Sequence, residues 1–414
     1  MSLRSPILTS IVILLLSGTY AFSSIGFVVA YFFISFLVFY AKKGYRNKGC
    51  KSNFKVVGIL CFWVVLTTLI LRSDVLDKTY MLYILYPIGS LFLITSFDFY
   101  ILRINLLRCL NYILFISIIV HFLYMFQIIP ANFDSDAVKY IVLGIFNVHN
   151  GDDAFLELPW GNYYRFSSIY GEPGQLGCVL IFILLLFTDE ISKSVLYPRR
   201  FLSKFGFIVL SIILSCSTTT YICFAIYLIG LFIFSENVRS NSKLLYFATL
   251  IVITVAVYAI FKSDVVVDKF EQRNSIEDTS YSIRMADNLV CLEMTINNPI
   301  FGLGRNTAAQ KSFFLRKDNR TSSNGWLLAS ASFGVFYILF IFYRMYKQIY
   351  KMNFKTNALF ILFVLVFQQC NEAAIFLPYV YLFILRYKSY DRFLQNRNDK
   401  LIRNYAYNHS VSSS

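Results

Sequence analysis

Charged residues are scarce in this sequence, 15% of 414 positions, where a soluble domain carries roughly 25%. That shortage excludes an ordinary soluble globule, which needs polar side chains to cover its surface. Histidine is scarcer still, with three in the chain. His121 falls in an apolar run, His149 stands beside "NGDD", and His409 is near the last residue. None has the spacing of a metal site, and the isolated pair Asp152–Asp153 does not make one, so no metal or other cofactor is expected. Eight cysteines are present, but without a CxxC pair or a framework spacing. Cys61, Cys109, Cys178, Cys216, Cys223 and Cys370 lie in apolar stretches and read as small apolar fillers. No internal repeat is visible, nor the inverted repeat of many transporters. A cleavable leader is not expected either, because the first apolar run continues into a second without a small-residue cleavage site.

What is abundant is apolar: 57% hydrophobic and 18% aromatic residues, with a mean hydropathy of +0.60. Runs such as "IVILLLSGTYAFSSIGFVVAYFFISFLVFY" are too long and too apolar for a soluble core helix, and a membrane helix needs about 20 such residues. The chain reads as an all-α polytopic membrane protein of about 12 transmembrane helices. The expected spans are 6–21, 24–40, 54–71, 79–97, 108–129, 173–188, 204–217, 220–235, 244–261, 324–343, 356–369 and 373–386. Residues 6–40 as one helix would be about 52 Å long, against about 30 Å of hydrocarbon, which forces a split near "SGTYAFSSIG". The stretch 204–235 splits at "SCSTTT" for the same reason.

The net charge of +15 raises the question of nucleic acid, and the membrane reading answers it without one. Cytoplasmic loops collect Lys and Arg, and the basic segments 41–53, 189–203 and 344–355 and the tail from Arg386 to Arg403 all fall on one side of a twelve-span chain. Both termini are therefore expected in the cytoplasm. Residues 1–386 form a single transmembrane domain and 387–414 a polar cytoplasmic tail. Two long segments, about 130–172 and 262–323, are left on the exoplasmic side, and loops of such length are usually functional or disordered. Their many aromatic and aliphatic residues argue against disorder, so the work of the protein is expected on that face.

Within the second loop, Met285, Leu289, Leu292 and Ile296 recur with helical spacing, and "NNP" stops the pattern. A short amphipathic helix on the membrane surface is expected, followed by a Pro–Gly turn in "PIFGLGRN" that returns Arg305 toward the bilayer. The basic cluster 311–320 runs against the positive-inside tendency; it suits either anionic headgroups or a phosphate, for which guanidinium is well shaped. In the first loop, "YYRFSSIYGEPGQLG" sets Arg165 and Glu172 just ahead of a span. Pro173 suits a first helical turn, and the carboxylate of Glu172 suits the positive helix end, as a cap, as a base, or as both. Arg165 can pair with Glu172. Tyr163, Tyr164, Tyr170 and Trp160 either stack on sugars or belong to the aromatic belt. Gln368, Gln369, Asn371 and Glu372 sit between the last two spans, where a tight polar hairpin is the simpler reading.

The order of these motifs resembles the O-antigen polymerase (Wzy) and O-antigen ligase superfamily. The resemblance rests on Arg165 with "GEP", on "SCSTTTYICFAIYLIG", on R…"NPIFGLG" and on "SNGWLLASASFGVFYILF", and it covers about residues 160–345. It implies a glycosyltransferase at the outer face of the bacterial inner membrane. Its substrates would be oligosaccharides linked to undecaprenyl pyrophosphate. A polymerase moves the growing glycan onto a new lipid-linked repeat unit, whereas a ligase moves it onto lipid A core. Ligases carry a His–Asn pair before the tenth or eleventh span; here that position reads Ser323–Asn324, which favours the polymerase. A flippase is the alternative of another class, but it would place charges deep in its helices and keep its outer loops short. The catalytic candidates are Glu172 as acceptor base, with Arg165 and Arg284 on the leaving pyrophosphate. Arg305, Asn324, Tyr164 and Tyr170 are the substrate-binding candidates. The lipid bilayer is the expected partner and no nucleic acid is; the sequence leaves open whether a chain-length regulator joins it.

Overall fold

A computed structural model of the chain describes residues 4–15, 25–44, 50–70, 78–126, 128, 155–158, 161–170, 172–194, 197–234, 280–304, 324–351, 358–369 and 377–387. These are helical apart from one short hairpin and the connections. In chain order the helices begin with α1 (Arg4–Leu15), α2 (Ile25–Ala41), α3 (Cys50–Ile70), α4 (Lys78–Ser96) and α5 (Phe99–Met125). Strands β1 (Phe155–Leu158) and β2 (Gly161–Tyr164) pair antiparallel, with Tyr164 opposite Phe155. Then come α6 (Pro173–Leu186), α7 (Thr188–Ser194), α8 (Pro198–Ser215), α9 (Thr218–Phe234) and α10 (Ser280–Asn297). The described chain closes with α11 (Gly325–Phe333), α12 (Val335–Lys351), α13 (Ala358–Gln368) and a 3-10 helix, Pro378–Phe383.

The apolar helices make this a membrane-embedded helical protein. Cys50–Ile70 and Phe99–Leu123 are each long and apolar enough to cross a bilayer. The pair α6 and α7, bent by 74°, is a third if taken as one span. Four shorter apolar helices lie within α2, α4, α9 and α13. Phe33, Leu37, Phe62, Leu69 and Leu359 are each more than half exposed, a surface that suits lipid and not water. Helix α6 is the opposite case, with every residue from Leu176 to Leu186 buried. A helix apolar all round belongs in the middle of a bundle, and α6 packs against α8, α9 and α13. Gly177 is what lets α9 come close, since a Cβ there would strike the Thr220 side chain.

Several expectations change. Residues 99–107, left between the expected spans 79–97 and 108–129, belong to α5, which starts at Phe99. Arg103 made that stretch look polar, yet it is 3% exposed. Its guanidinium reaches Asp189 and Glu190 at 2.7 Å each and donates to the Leu186 carbonyl at 3.2 Å. Helix α10 does not stand alone at a surface. Asn288 meets Asn324, Cys291 and Met294 pack with Leu328 and Ala331, and Pro299 bonds Val335. It therefore runs beside α11 in the same direction. Leu289, Leu292 and Ile296, the periodic apolar residues, are the exposed side of this pairing. The expected continuous span 324–343 is broken at Gly334, which takes φ +84. Of the expected last span 373–386, residues 377–386 are described, and their helical part is the six-residue 3-10 helix. At about 2 Å per residue it falls well short of a bilayer. By contrast, the split at "SCSTTT" is present: α8 ends at Ser215, Cys216 turns with φ +47, and α9 begins at Thr218. The expected span 244–261 and the tail 388–414 lie outside the described residues.

Candidate functional site

Two groups of residues carry the expected chemistry, and each is built differently from its sequence reading. In the first, residues 166–170 are tucked inside the protein. Phe166, Ser167, Ser168, Ile169 and Tyr170 are all buried. The Phe166 N–H bonds the Leu214 carbonyl at 3.1 Å, and the Phe166 ring meets His121 edge-on at 5.2 Å. Ser168 has φ +55 and donates its hydroxyl to Ser117 at 2.8 Å. The segment is thus pinned between α5 and the end of α8. Tyr170 is 2% exposed, its hydroxyl is buried without a hydrogen-bond partner, and burial pushes its phenol above the ordinary range. Its ring packs the loop and offers no open face for stacking on a sugar. Tyr164 occupies the last position of β2.

Arg165, at the start of this segment, is half-buried, whereas Glu172 is exposed. Among the described residues no ion pair joins them. Glu172 stands at the N-cap position of α6 with extended backbone, φ −134 and ψ 148, and Pro173 follows in the first turn. Its carbonyl accepts from the Leu176 N–H at 3.1 Å, but its side chain makes no capping bond. Of the two roles expected for this carboxylate, the side-chain cap is not used, which leaves it available at the surface.

The second group is organised by the break at Gly334. Ending α11 there leaves carbonyls that a continuous helix would satisfy, and in a membrane each must find a donor. "NPIFGLG" supplies most of them. Leu303 N–H bonds the Ala331 carbonyl at 2.8 Å, and Gly304 N–H bonds that of Ser332 at 3.0 Å. In the reverse sense, Val335 N–H bonds the Pro299 carbonyl at 2.8 Å. Trp63 of α3 donates its indole N–H to the Phe333 carbonyl at 2.7 Å, and its ring stacks on Phe301 at 5.7 Å. The glycines are required by this fit. Gly302 has φ +69 and lies against the Ser332 backbone, and a Cβ on Gly334 would strike the Ile300 carbonyl. "NPIFGLG" is therefore a plug in a broken helix, where the sequence suggested a Pro–Gly turn leading Arg305 back toward the bilayer.

Above the plug, Asn324 caps α11 by accepting the Leu327 N–H at 3.0 Å, and its amide donates to Asn288 Oδ1 at 2.8 Å. Arg284 lies on α10, four residues before Asn288 in sequence. Arg305 lies outside the described residues, as do His149, Asp152, Asp153 and the cluster 311–320. The structure thus joins the Arg284 helix to Asn324 and keeps Arg165 and Glu172 on α6 and the segment before it. A link between the groups is α13, which packs on α6 and just past whose end the Gln369 carbonyl accepts the Gly325 N–H at 3.2 Å. Gln368 and Gln369 are both buried there; the sequence allowed them a functional role or a tight polar hairpin, the hairpin being the simpler reading. Among the described residues no group of three His, Cys, Asp or Glu is placed to hold a metal ion. No protein-family model, curated protein or solved structure matches the chain.

Proposed function

We propose that this chain is a polysaccharide polymerase of the inner membrane, in the manner of the O-antigen polymerases it resembles. In this reading it moves a glycan from undecaprenyl pyrophosphate onto the next lipid-linked repeat unit at the exoplasmic face. Twelve spans, both termini in the cytoplasm and two working outer loops are part of the proposal. So is metal-independent transfer. The bond between the sugar C1 and the pyrophosphate oxygen breaks while C1 bonds the acceptor hydroxyl oxygen. The hydroxyl proton passes to Glu172, and the leaving pyrophosphate is stabilised by the guanidinium groups of Arg165 and Arg284, with Arg305 assisting. Asn324 orients the substrate.

The observation that carries the reading is the docking of "NPIFGLG" into the break at Gly334, with the Asn288–Asn324 bond above it. It joins two of the segments on which the resemblance rests, and it aligns the Arg284 helix with the first turn of α11. The availability of the Glu172 side chain is further support. Against a flippase stands the distribution of charge, since Arg103 is the one buried charged residue among those described and it is paired.

Deleting the gene and resolving the surface glycan on a gel tests the proposal. Loss of a polymerase leaves a single repeat unit on lipid A core. Complete absence of that unit, with repeat synthesis intact, would instead indicate a flippase or a ligase.

A further inference from the structure

Helix α5 has 27 residues, which makes it about 40 Å long against about 30 Å of hydrocarbon. The excess falls at its start, where Arg103 meets Asp189 and Glu190. Arg108 follows at the boundary of the hydrocarbon and is exposed. An exposed cation at that depth needs a counter-charge. Among the described residues no carboxylate pairs with it, and Glu190 is already shared between Arg103 and Lys204.

Helix α8 runs beside α5 in the same direction. Asn111 Nδ2 donates to the Lys204 carbonyl at 2.8 Å, and one turn further the Phe115 and Phe207 rings meet edge-on at 5.5 Å. Arg108 precedes Phe115 by seven residues, and Arg200 precedes Phe207 by seven. Seven residues are close to two turns, so both arginines lie on the stripes that make these contacts, one turn before the Asn111–Lys204 bond. Arg200 is exposed too, has no carboxylate partner among the described residues, and lies over the Tyr197 ring at 5.1 Å. Two guanidinium groups thus flank the end of the groove between α5 and α8. Guanidinium is well shaped for phosphate, and basic clefts between membrane helices suit anionic headgroups. Further along the groove Phe115 is 46% exposed, a surface that an acyl chain covers and a soluble anion does not.

We propose that Arg108 and Arg200 bind the phosphate of an anionic bilayer phospholipid, such as phosphatidylglycerol, whose acyl chains lie along Phe115 and Phe207. In the proposed topology this lipid belongs to the cytoplasmic leaflet, and the site is independent of the polymerase reading.

The test uses the full chain in neutral detergent micelles, titrated separately with phosphatidylglycerol, phosphatidylcholine and inorganic phosphate. Bound lipid is counted by native mass spectrometry, and Tm is followed in parallel. The variants are Arg108→Gln, Arg200→Gln and Arg199→Gln, the last an exposed neighbour one residue off the stripe. The wild type and Arg199→Gln are expected to bind phosphatidylglycerol equally and to gain Tm from it. Arg108→Gln and Arg200→Gln should each bind it about fivefold more weakly, with Tm before lipid addition unchanged. Wild-type affinity in both of these variants overturns the site. So does an equal loss in Arg199→Gln, which reduces the patch to diffuse surface charge. A lowered Tm before lipid addition assigns the arginines to the fold, and a matching response to phosphatidylcholine or inorganic phosphate removes the anionic lipid; either result overturns the proposal.

Discussion

The Trp63 indole donates to the Phe333 carbonyl at 2.7 Å, across a sequence separation of 270 residues. That bond ties α3 to the break in the expected tenth span. Replacing Trp63 with Phe keeps a ring to stack on Phe301 but removes the donor. An unsatisfied buried carbonyl costs about 1–3 kcal/mol, so Trp63→Phe should lower Tm in nanodiscs. An unchanged Tm would mean that the bond is dispensable.

Gly334 offers a sharper contrast. Gly334→Ala places a Cβ against the Ile300 carbonyl at φ +84. Gly58, in the middle of α3, has nothing within 4 Å of an added Cβ, and alanine there should help the helix by up to about 1 kcal/mol. The expected order of stability is Gly58→Ala at or above wild type, with Gly334→Ala far below it and poorly recovered from membranes. Equal Tm for the two variants would contradict the docked plug.

Between α5 and α7, Arg103 forks two carboxylates and lies over the Phe187 ring at 4.6 Å. Removing one partner of a buried pair costs about 3–5 kcal/mol. Asp189 and Glu190 keep 21% and 23% of their side-chain surface exposed, so Arg103→Gln should fall near the lower end. Lysine cannot fork or stack in the same way, so Arg103→Lys should recover less than half of the loss in thermal unfolding.

For activity, Glu172→Gln should slow polymerisation by about 100-fold or more, the contribution of a general base. Tm should not move, because the side chain makes no capping bond. A falling Tm with retained chain length would return Glu172 to a structural role. Arg284→Ala should abolish polymerisation at normal membrane abundance; normal chain length in that variant would take Arg284 out of the site. Full activity in Arg165→Lys would argue against a bidentate role for that guanidinium.

Apolar run length was enough to find α2 and α3, and the polar "SCSTTT" interruption marked the turn between α8 and α9. Other features depend on partners distant in sequence. Arg103 reads as a loop residue until Asp189 and Glu190 arrive to neutralise it inside a helix. Gly334 is one glycine in an apolar run, and it takes the backbone of residues 299–304 and the Trp63 indole to satisfy a break there. The periodicity of Leu289, Leu292 and Ile296 identified a helix and its apolar face correctly. It could not show that the opposite face, with Cys291 and Met294, is the one that packs on protein. At the site, Glu172 was legible from helix-start chemistry and Asn324 only through the family resemblance, whereas the buried amides of Gln368 and Gln369 looked more like a tight polar hairpin.

The pairing of α10 with α11 has one more consequence. Its two anchors, Asn288 with Asn324 and Pro299 with Val335, are separated by the same stretch of chain on both sides, from 288 to 299 and from 324 to 335. The two segments are like the matched edges of a zip fastener. Adding one residue to either would turn that helix by about 100° and move its far anchor by about 1.5 Å. Side chains on the outward edge are free to vary, but the count of residues between the anchors is not. Length, more than composition, is what this part of the chain has to preserve.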